Sequence, residues 1–244
     1  MTTLVLRLAG PMQSWGTRSR FAYRSTDPQP SKSAVLGLLA AAQGRRRTEA
    51  VEDLAGLRFG VRVDQPGQVV RDFQTARTLH SGDPMPLTHR YYLCDAVFVA
   101  AVEGAPDLVG ALADAVRRPV FPLFLGRRSC PPAQPLYVDV VDRGLRDVLT
   151  SVAPGVGTPW AAAPWWRERQ DTEVTLDVVR DADPDEPATD VTPDVPVSYD
   201  PQHRRYATRP VVHDTCVVPN PRGVRRRSAP VTFHDPLALI PGEA

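Results

Sequence analysis

The apolar period of this chain switches between strand and helix twice before residue 125, and that alternation restricts the fold more than any single motif does. Residues 2–8 set Leu4, Leu6 and Leu8 on one side, the period of a strand. Ser31 is a favoured N-cap, and Val35, Leu36, Leu38, Leu39 and Ala42 after it make the apolar face of a helix that stops at Gly44. Residues 57–64 alternate Leu57, Phe59, Val61 and Val63, and Gln65-Pro66-Gly67 is a turn signal. Residues 68–75 are expected to pair back as a hairpin. Residues 76–90 are polar and rich in Pro and Gly, which predicts a protruding loop or thumb. Strand character resumes over 91–102. A second helix starts near Ala105 and turns Leu108, Leu112, Ala115 and Val116 inward. The apolar run 120–125, closed by Pro131 and Pro132, reads as a buried strand.

The predicted fold class is therefore α+β, with a β-α-β-β-α-β body over residues 1–142 and the thumb inserted at about 76–90. That order is the ferredoxin-like arrangement, which RNA-recognition domains also use. Residues 143–244 are expected to form a small, mainly β region. Within it, 181–201 reads as an acidic, proline-rich loop. Trp160, Trp165 and Trp166 cluster there, either as a core anchor or as a partner contact.

Charge is segregated along the chain. Its total is +1, yet residues 1–47 carry eight basic side chains against Asp27 alone, a net of +7. Residues 171–200 carry ten acids against Arg180, a net of −9, and residues 203–227 return to +6. Such blocks create local fields that attract a polyanion even when the total cancels. Lys32 is the sole lysine.

Two basic features stand out. In Gly126-Arg127-Arg128-Ser129, a glycine that permits a tight turn precedes two guanidiniums able to fork onto phosphate. The same residues also describe an ordinary solvated loop. In Ser31-Lys32-Ser33, a helix N-terminus offers free N–H groups and a positive dipole end beside a cation, a natural phosphate site, although a capped start needs no ligand. Trp15, beside Gly16 in a loop, is either a base-stacking surface or a core residue.

Other chemistries find little support. Cys94, Cys130 and Cys216 are odd in number and far apart, which fits neither a disulfide framework nor a zinc spacing and suggests a reducing cytoplasm. The five histidines form no metal pattern, so neither metal nor cofactor is expected. No stretch is long and apolar enough to span a membrane, and Arg7 argues against a signal peptide. A metal-free ribonuclease using His80 or His89 beside Tyr91, Tyr92 and Lys32 stays open as an alternative, as does a purely protein-binding assembly role.

Four segments in order carry a family resemblance: residues 6–16 (LRLAGPMQSWG), 31–39 (SKSAVLGLL), 92–96 (YLCDA) and 125–130 (LGRRSC). Together they resemble the Cas-five-type (CasD) subunits of type I-E Cascade, the RNA-guided CRISPR surveillance complex. The resemblance covers roughly residues 2–140. It implies a non-catalytic RNA-binding subunit with a β-hairpin thumb that grips the 5′ handle of the CRISPR RNA and caps the backbone. The implied partners are that RNA, the repeated backbone subunit, the large subunit and, through the complex, target DNA. On that basis the RNA contacts are expected at Gln13, Trp15, Arg18, Arg20, Ser31, Lys32, Ser33, Gln74, Thr75, Arg77, Arg127, Arg128 and Ser129. Partner contacts are expected on the thumb at Leu79, His80, Met85, Leu87 and His89.

Overall fold

The computed structural model describes residues 1–16, 23–150, 164–220 and 223–224. In chain order these form β1 (Thr2–Ala9), β2 (Met12–Gln13), β3 (Tyr23–Arg24), α1 (Lys32–Ala42), α2 (Glu52–Ala55), β4 (Arg58–Gln65), β5 (Gln68–Gln74) and β6 (Thr88–Cys94). There follow β7 (Val97–Gly104), α3 (Pro106–Arg117), β8 (Tyr137–Val141), α4 (Leu145–Thr150), α5 (Pro164–Glu168), β9 (Glu173–Asp181), β10 (Asp190–Ser198) and β11 (Arg205–Pro219). The molecule is mixed α+β and mostly β.

A seven-stranded sheet runs in the order β10-β11-β9-β4-β7-β1-β8, with every pairing antiparallel. Period-2 alternation divides its central strands between two cores. Leu4, Leu6 and Leu8 of β1 and Phe98, Ala100 and Val102 of β7 pack with Val35, Leu36 and Leu39 of α1 and Val109 and Leu112 of α3. Val5, Val99 and Ala101 face the other way, onto Leu145, Val148 and Leu149 of α4 and Trp166. Trp166 is an anchor of this second core, and its Nε1 donates to the Asp64 carbonyl at 2.8 Å. Trp160 lies outside the described residues.

Helix α1 forms and stops as its sequence directs. Ser31 is extended, and its Oγ accepts from Ala34 N at 3.3 Å. At the other end Gly44 adopts φ +82°. There Arg45 N bonds Ala40 O at 2.9 Å and Gly44 N bonds Ala41 O at 3.0 Å, the paired Schellman closure.

The middle of the chain departs from the predicted pairing. Residues 68–75 do not return onto 57–64. Instead β5 pairs along β6, and β2 and β3 share the other edge of β6, so a second, four-stranded sheet stands beside the first. The expected strand over 91–102 is two strands. Asp95 takes φ +57° and breaks it, sending β6 into the small sheet and β7 into the large one. Gln65 Nε2 donates to the Asp95 carbonyl and ties the two crossing points together. The hairpin is therefore longer than the expected 76–90, with that segment mostly its tip.

The run 120–125 is not a strand. Pro119 and Pro122 remove two ladder donors, and Val120 is 64 % exposed. Two of its donors close helix α1: Val120 N reaches Ala42 O at 2.9 Å and Phe121 N reaches Ala41 O at 3.3 Å. The strand that follows α3 is β8, which pairs with β1.

The acidic stretch 181–201 is also not one long loop. It contains β10, at the edge of the large sheet beside β11. Its carboxylates are counter-ions. Asp183 and Glu186 meet Arg58 and Arg180, while Asp181 and Asp194 meet Lys32 and Arg209.

Candidate nucleic-acid interface

The motifs that lie far apart in sequence converge where the small sheet meets the Leu125–Cys130 loop. Gln13 is fully buried. Its Nε2 donates to Leu8 O (3.3 Å) and Ala96 O (2.7 Å), and its Oε1 accepts from Trp15 Nε1 at 2.9 Å. Trp15 is buried with it in the main core. The structure sets Gln13 and Trp15, expected as RNA contacts, inside the fold, as a hydrogen-bonded amide and a buried ring. Their role is to fix Ser14, whose N donates to Leu125 O (3.1 Å) and whose Oγ donates to Tyr91 O (3.3 Å).

That contact explains Gly126. It sits at φ +85°, and a Cβ there would lie 1.7 Å from Ser14 O, so no other residue fits. Leu125 N bonds Cys130 O (2.7 Å) and Cys130 N bonds Arg127 O (2.8 Å), closing the loop with Arg127, Arg128 and Ser129 at its tip. Burial pushes the Cys130 thiol up, so it packs as a neutral group.

Arg127 is held on three sides. Its Nη2 donates to Arg24 O at 2.9 Å, its Cζ lies 4.7 Å from the Tyr92 ring centroid, and its Nη1 is buried with no acceptor among the described residues. Arg90 of β6 stands in register with Arg24 of β3, and Arg90 Nε is likewise buried without an acceptor. The adjacent His89 has a buried, unpartnered Nδ1. Arg24, Arg128 and Ser129 are exposed. Asp72 lies opposite Arg90, with its oxygens accepting from Phe73 N and Gln74 Nε2. A buried polar group without a partner costs about 1–3 kcal/mol. Two of these nitrogens, Arg127 Nη1 and Arg90 Nε, belong to one face, and guanidinium N–H groups of this kind match phosphate oxygens.

Arg24 and Arg90 were not singled out from the sequence. Their signal was the repeated aromatic-arginine step, Tyr23-Arg24 and His89-Arg90, in segments read as loop.

The second predicted phosphate site is filled by the chain itself. Lys32 is buried, with Nζ 3.2 Å from Asp181 Oδ2. Its backbone N donates to Asp194 Oδ2 at 2.7 Å, so a carboxylate already caps the helix dipole. Arg209 joins both acids, at 2.5 Å to Asp181 and 2.6 Å to Asp194. Burial pulls the Lys32 ammonium down from its usual range, opposed by Asp181. Ser31 caps the helix, and the Ser33 carbonyl accepts from Tyr199 OH, a phenol that burial pushes up. Ser31, Lys32 and Ser33, expected as RNA contacts, are thus buried and engaged within the chain. With Lys32 committed to Asp181, the Lys–His–Tyr constellation considered for a ribonuclease does not assemble around it.

Other expected residues divide. Arg18 and Arg20 lie outside the described residues. Gln74 and Thr75 close β5 beside the tip, and Arg77 Nη1 donates to Gly82 O within the tip at 3.3 Å. Leu79, His80, Met85 and Leu87 are exposed, Leu79 at 94 %. His89 lies on β6 rather than at the tip, stacked on Tyr23. Among the described residues no group of His, Cys, Asp or Glu is placed to hold a metal, and no helix is long and apolar enough to cross a membrane.

The chain and its fold resemble known proteins. The family model described as CRISPR-associated protein (Cas_Cas5) matches residues 3–212. The chain is 36 % identical over 156 residues to the "CRISPR system Cascade subunit CasD" of Escherichia coli (strain K12), covering 55 % of this chain and 69 % of that protein. A solved chain of a "CRISPR RNA-guided surveillance complex" superposes with a TM-score of 0.66 at 32 % identity, over 89 % of this chain and 91 % of its own. A second, titled "Crystal structure of Cas protein", gives 0.60 at 38 % identity, over 91 % and 97 %. On the family match and the structural likeness together, this chain belongs to the CRISPR-associated Cas_Cas5 family.

Proposed function

We propose that this chain is the CasD-type subunit of a Cascade surveillance complex and holds the 5′ handle of its CRISPR RNA without cleaving it. Arg127, with its buried and unpartnered Nη1 and its bond to the carbonyl of Arg24, the register partner of Arg90, carries the reading. Arg24, Arg90 and Arg127 grip the handle backbone, with Arg128 and Ser129 at the exposed tip. Gln74, Thr75 and Arg77 stand where the hairpin leaves this surface and serve as lesser contacts, with Arg18 and Arg20 as weaker ones.

The strand order β4-β7-β1-β8, with α1 and α3 on one face, supports a ferredoxin-like body over residues 1–142. Within residues 143–244, β9 joins that body by pairing with β4. The exposed apolar tip (Leu79, Met85 and Leu87, with His80) suits packing on the repeated backbone subunit. The large subunit is a further neighbour, and target DNA is reached only through the assembly, in the cytoplasm.

The test is co-purification from cells supplying the partner subunits and a CRISPR array. Hydrogen bonds to charged groups contribute about 1.5–3 kcal/mol each, so Arg127→Glu/Arg128→Glu should lower RNA per complex by about tenfold or more. Full RNA occupancy in that variant contradicts the reading. Affinity should also fall with salt, with a log–log slope of roughly −0.7 per phosphate contacted.

A further inference from the structure

The small sheet carries a second surface, on the side opposite the arginines. The register sets Phe73 of β5 opposite His89 of β6, and His89 opposite Tyr23 of β3. Side chains directly opposite share a face, so three aromatic rings cross three strands in one row. The Tyr23 and His89 rings stack with centroids 5.2 Å apart and planes 20° from parallel. The outer two rings stand in solvent, Phe73 at 68 % exposure and Tyr23 at 63 %. Arg71 shares the face, one pair further along β5.

Strand alternation then does something specific. Tyr23 and His89 are each followed by an arginine, Arg24 and Arg90, and these two are themselves in register. Two neighbouring strands therefore both send an aromatic ring to one face and a guanidinium to the other. Edge strand β3 is only two residues long, so the two faces meet around a short edge. A sheet with π-faces on one side, including a His89 ring whose Nδ1 has no partner, and guanidiniums on the other has the chemistry of a single-stranded nucleotide site.

We propose that the Phe73–His89–Tyr23 row is a stacking platform for one unpaired base of the bound RNA, with His89 Nδ1 bonding that nucleotide. This rests on the RNA-holding reading above, and adds a base site to its backbone grip. Stacking accepts any base, so the platform fixes the position of the nucleotide, not its identity.

The test is photocrosslinking in the assembled complex. Guide RNAs carrying a single 5-iodouridine at each handle position in turn are loaded, irradiated and mapped by mass spectrometry. One position should crosslink to Tyr23, His89 or Phe73. Tyr23→Leu/Phe73→Leu should reduce that crosslink by about tenfold, within the range of base–aromatic stacking. RNA per complex should stay within about twofold of wild type, because the arginines still hold the backbone. Full RNA occupancy with no crosslink to the row overturns the platform and leaves the grip standing. Release of a protein subunit from the Leu variant, with unchanged crosslinks, overturns it in favour of a protein contact. Wild-type complexes without RNA would instead overturn the RNA-holding reading itself.

Discussion

Two basic sites in this molecule look alike in sequence and differ in what surrounds them. At the start of α1, Lys32 and a helix N-terminus face Asp181, Asp194 and Arg209, and each carboxylate is shared among several donors. At the Gly126 loop, Arg127 and Arg90 end in buried nitrogens with no acceptor among the described residues. The first site is a joint between the two halves of the chain. The second has Arg127 on a backbone carbonyl, Arg24 O, in place of a carboxylate. What separates a structural cation from a binding cation is the location of the nearest carboxylate, and here that carboxylate arrives from about 150 residues away.

The comparison breaks most sharply at the joint. Asp194→Ala takes away the carboxylate that Lys32 N and Arg209 share, and loss of one partner from a buried ion pair costs about 3–5 kcal/mol, at the lower end here because Asp181 still holds Arg209. The urea midpoint should drop accordingly, while RNA bound per folded molecule is unchanged. A stable protein that loses RNA would reverse the assignment of the two sites.

Trp15→Phe is expected to have a smaller effect. It leaves Gln13 Oε1 without its donor, at about 1–3 kcal/mol. The loop stays gripped through the Ser14 backbone, so RNA retention should persist. A loss of RNA larger than the loss of stability would show that the ring contacts RNA.

The smallest effect sharpens the acidic side. Glu186 is held down to about 2 from 4.5, chiefly by hydrogen bonds from Arg180 and then from the Asp183 backbone. A depressed carboxylate contributes stability above its unfolded value and loses it as the pH falls through its folded one. The turn at 183–189 should therefore keep its amide protection at pH 5 and lose it between about 4.5 and 2. A Glu186 carboxyl titrating near 4.5 by NMR would show that the pairing with Arg180 is absent in solution.

Much of the body was legible because its elements follow local rules. The leucine alternation of β1 and the Ser31 cap and Gly44 stop of α1 appear as read, while α3 buries Val109 and Ala113 along with the expected Leu112 and Val116 and leaves Leu108 and Ala115 only partly buried. The errors share a physical origin. A continuous apolar run cannot reveal that Asp95 will turn left-handed and divide it between two sheets. The run 120–125 scored as a strand by hydropathy, although its prolines had removed the donors that a strand needs. At the candidate site, the turn at Gly126 was readable because glycine is the residue that takes positive φ. The burial of Gln13, Trp15 and Lys32 was not, because it is decided by distant partners: Ala96 for Gln13, and Asp181 and Asp194 for Lys32.

The most direct measurement places both sites in one preparation. Wild type, Lys32→Met and Arg127→Ala/Arg90→Ala would be co-expressed with the partner subunits and a CRISPR array, and RNA per complex quantified. The account predicts that Lys32→Met carries as much RNA as wild type, and that the double arginine variant loses most of its RNA while still assembling. Retention by the arginine variant, or loss from a folded Lys32→Met, would contradict it.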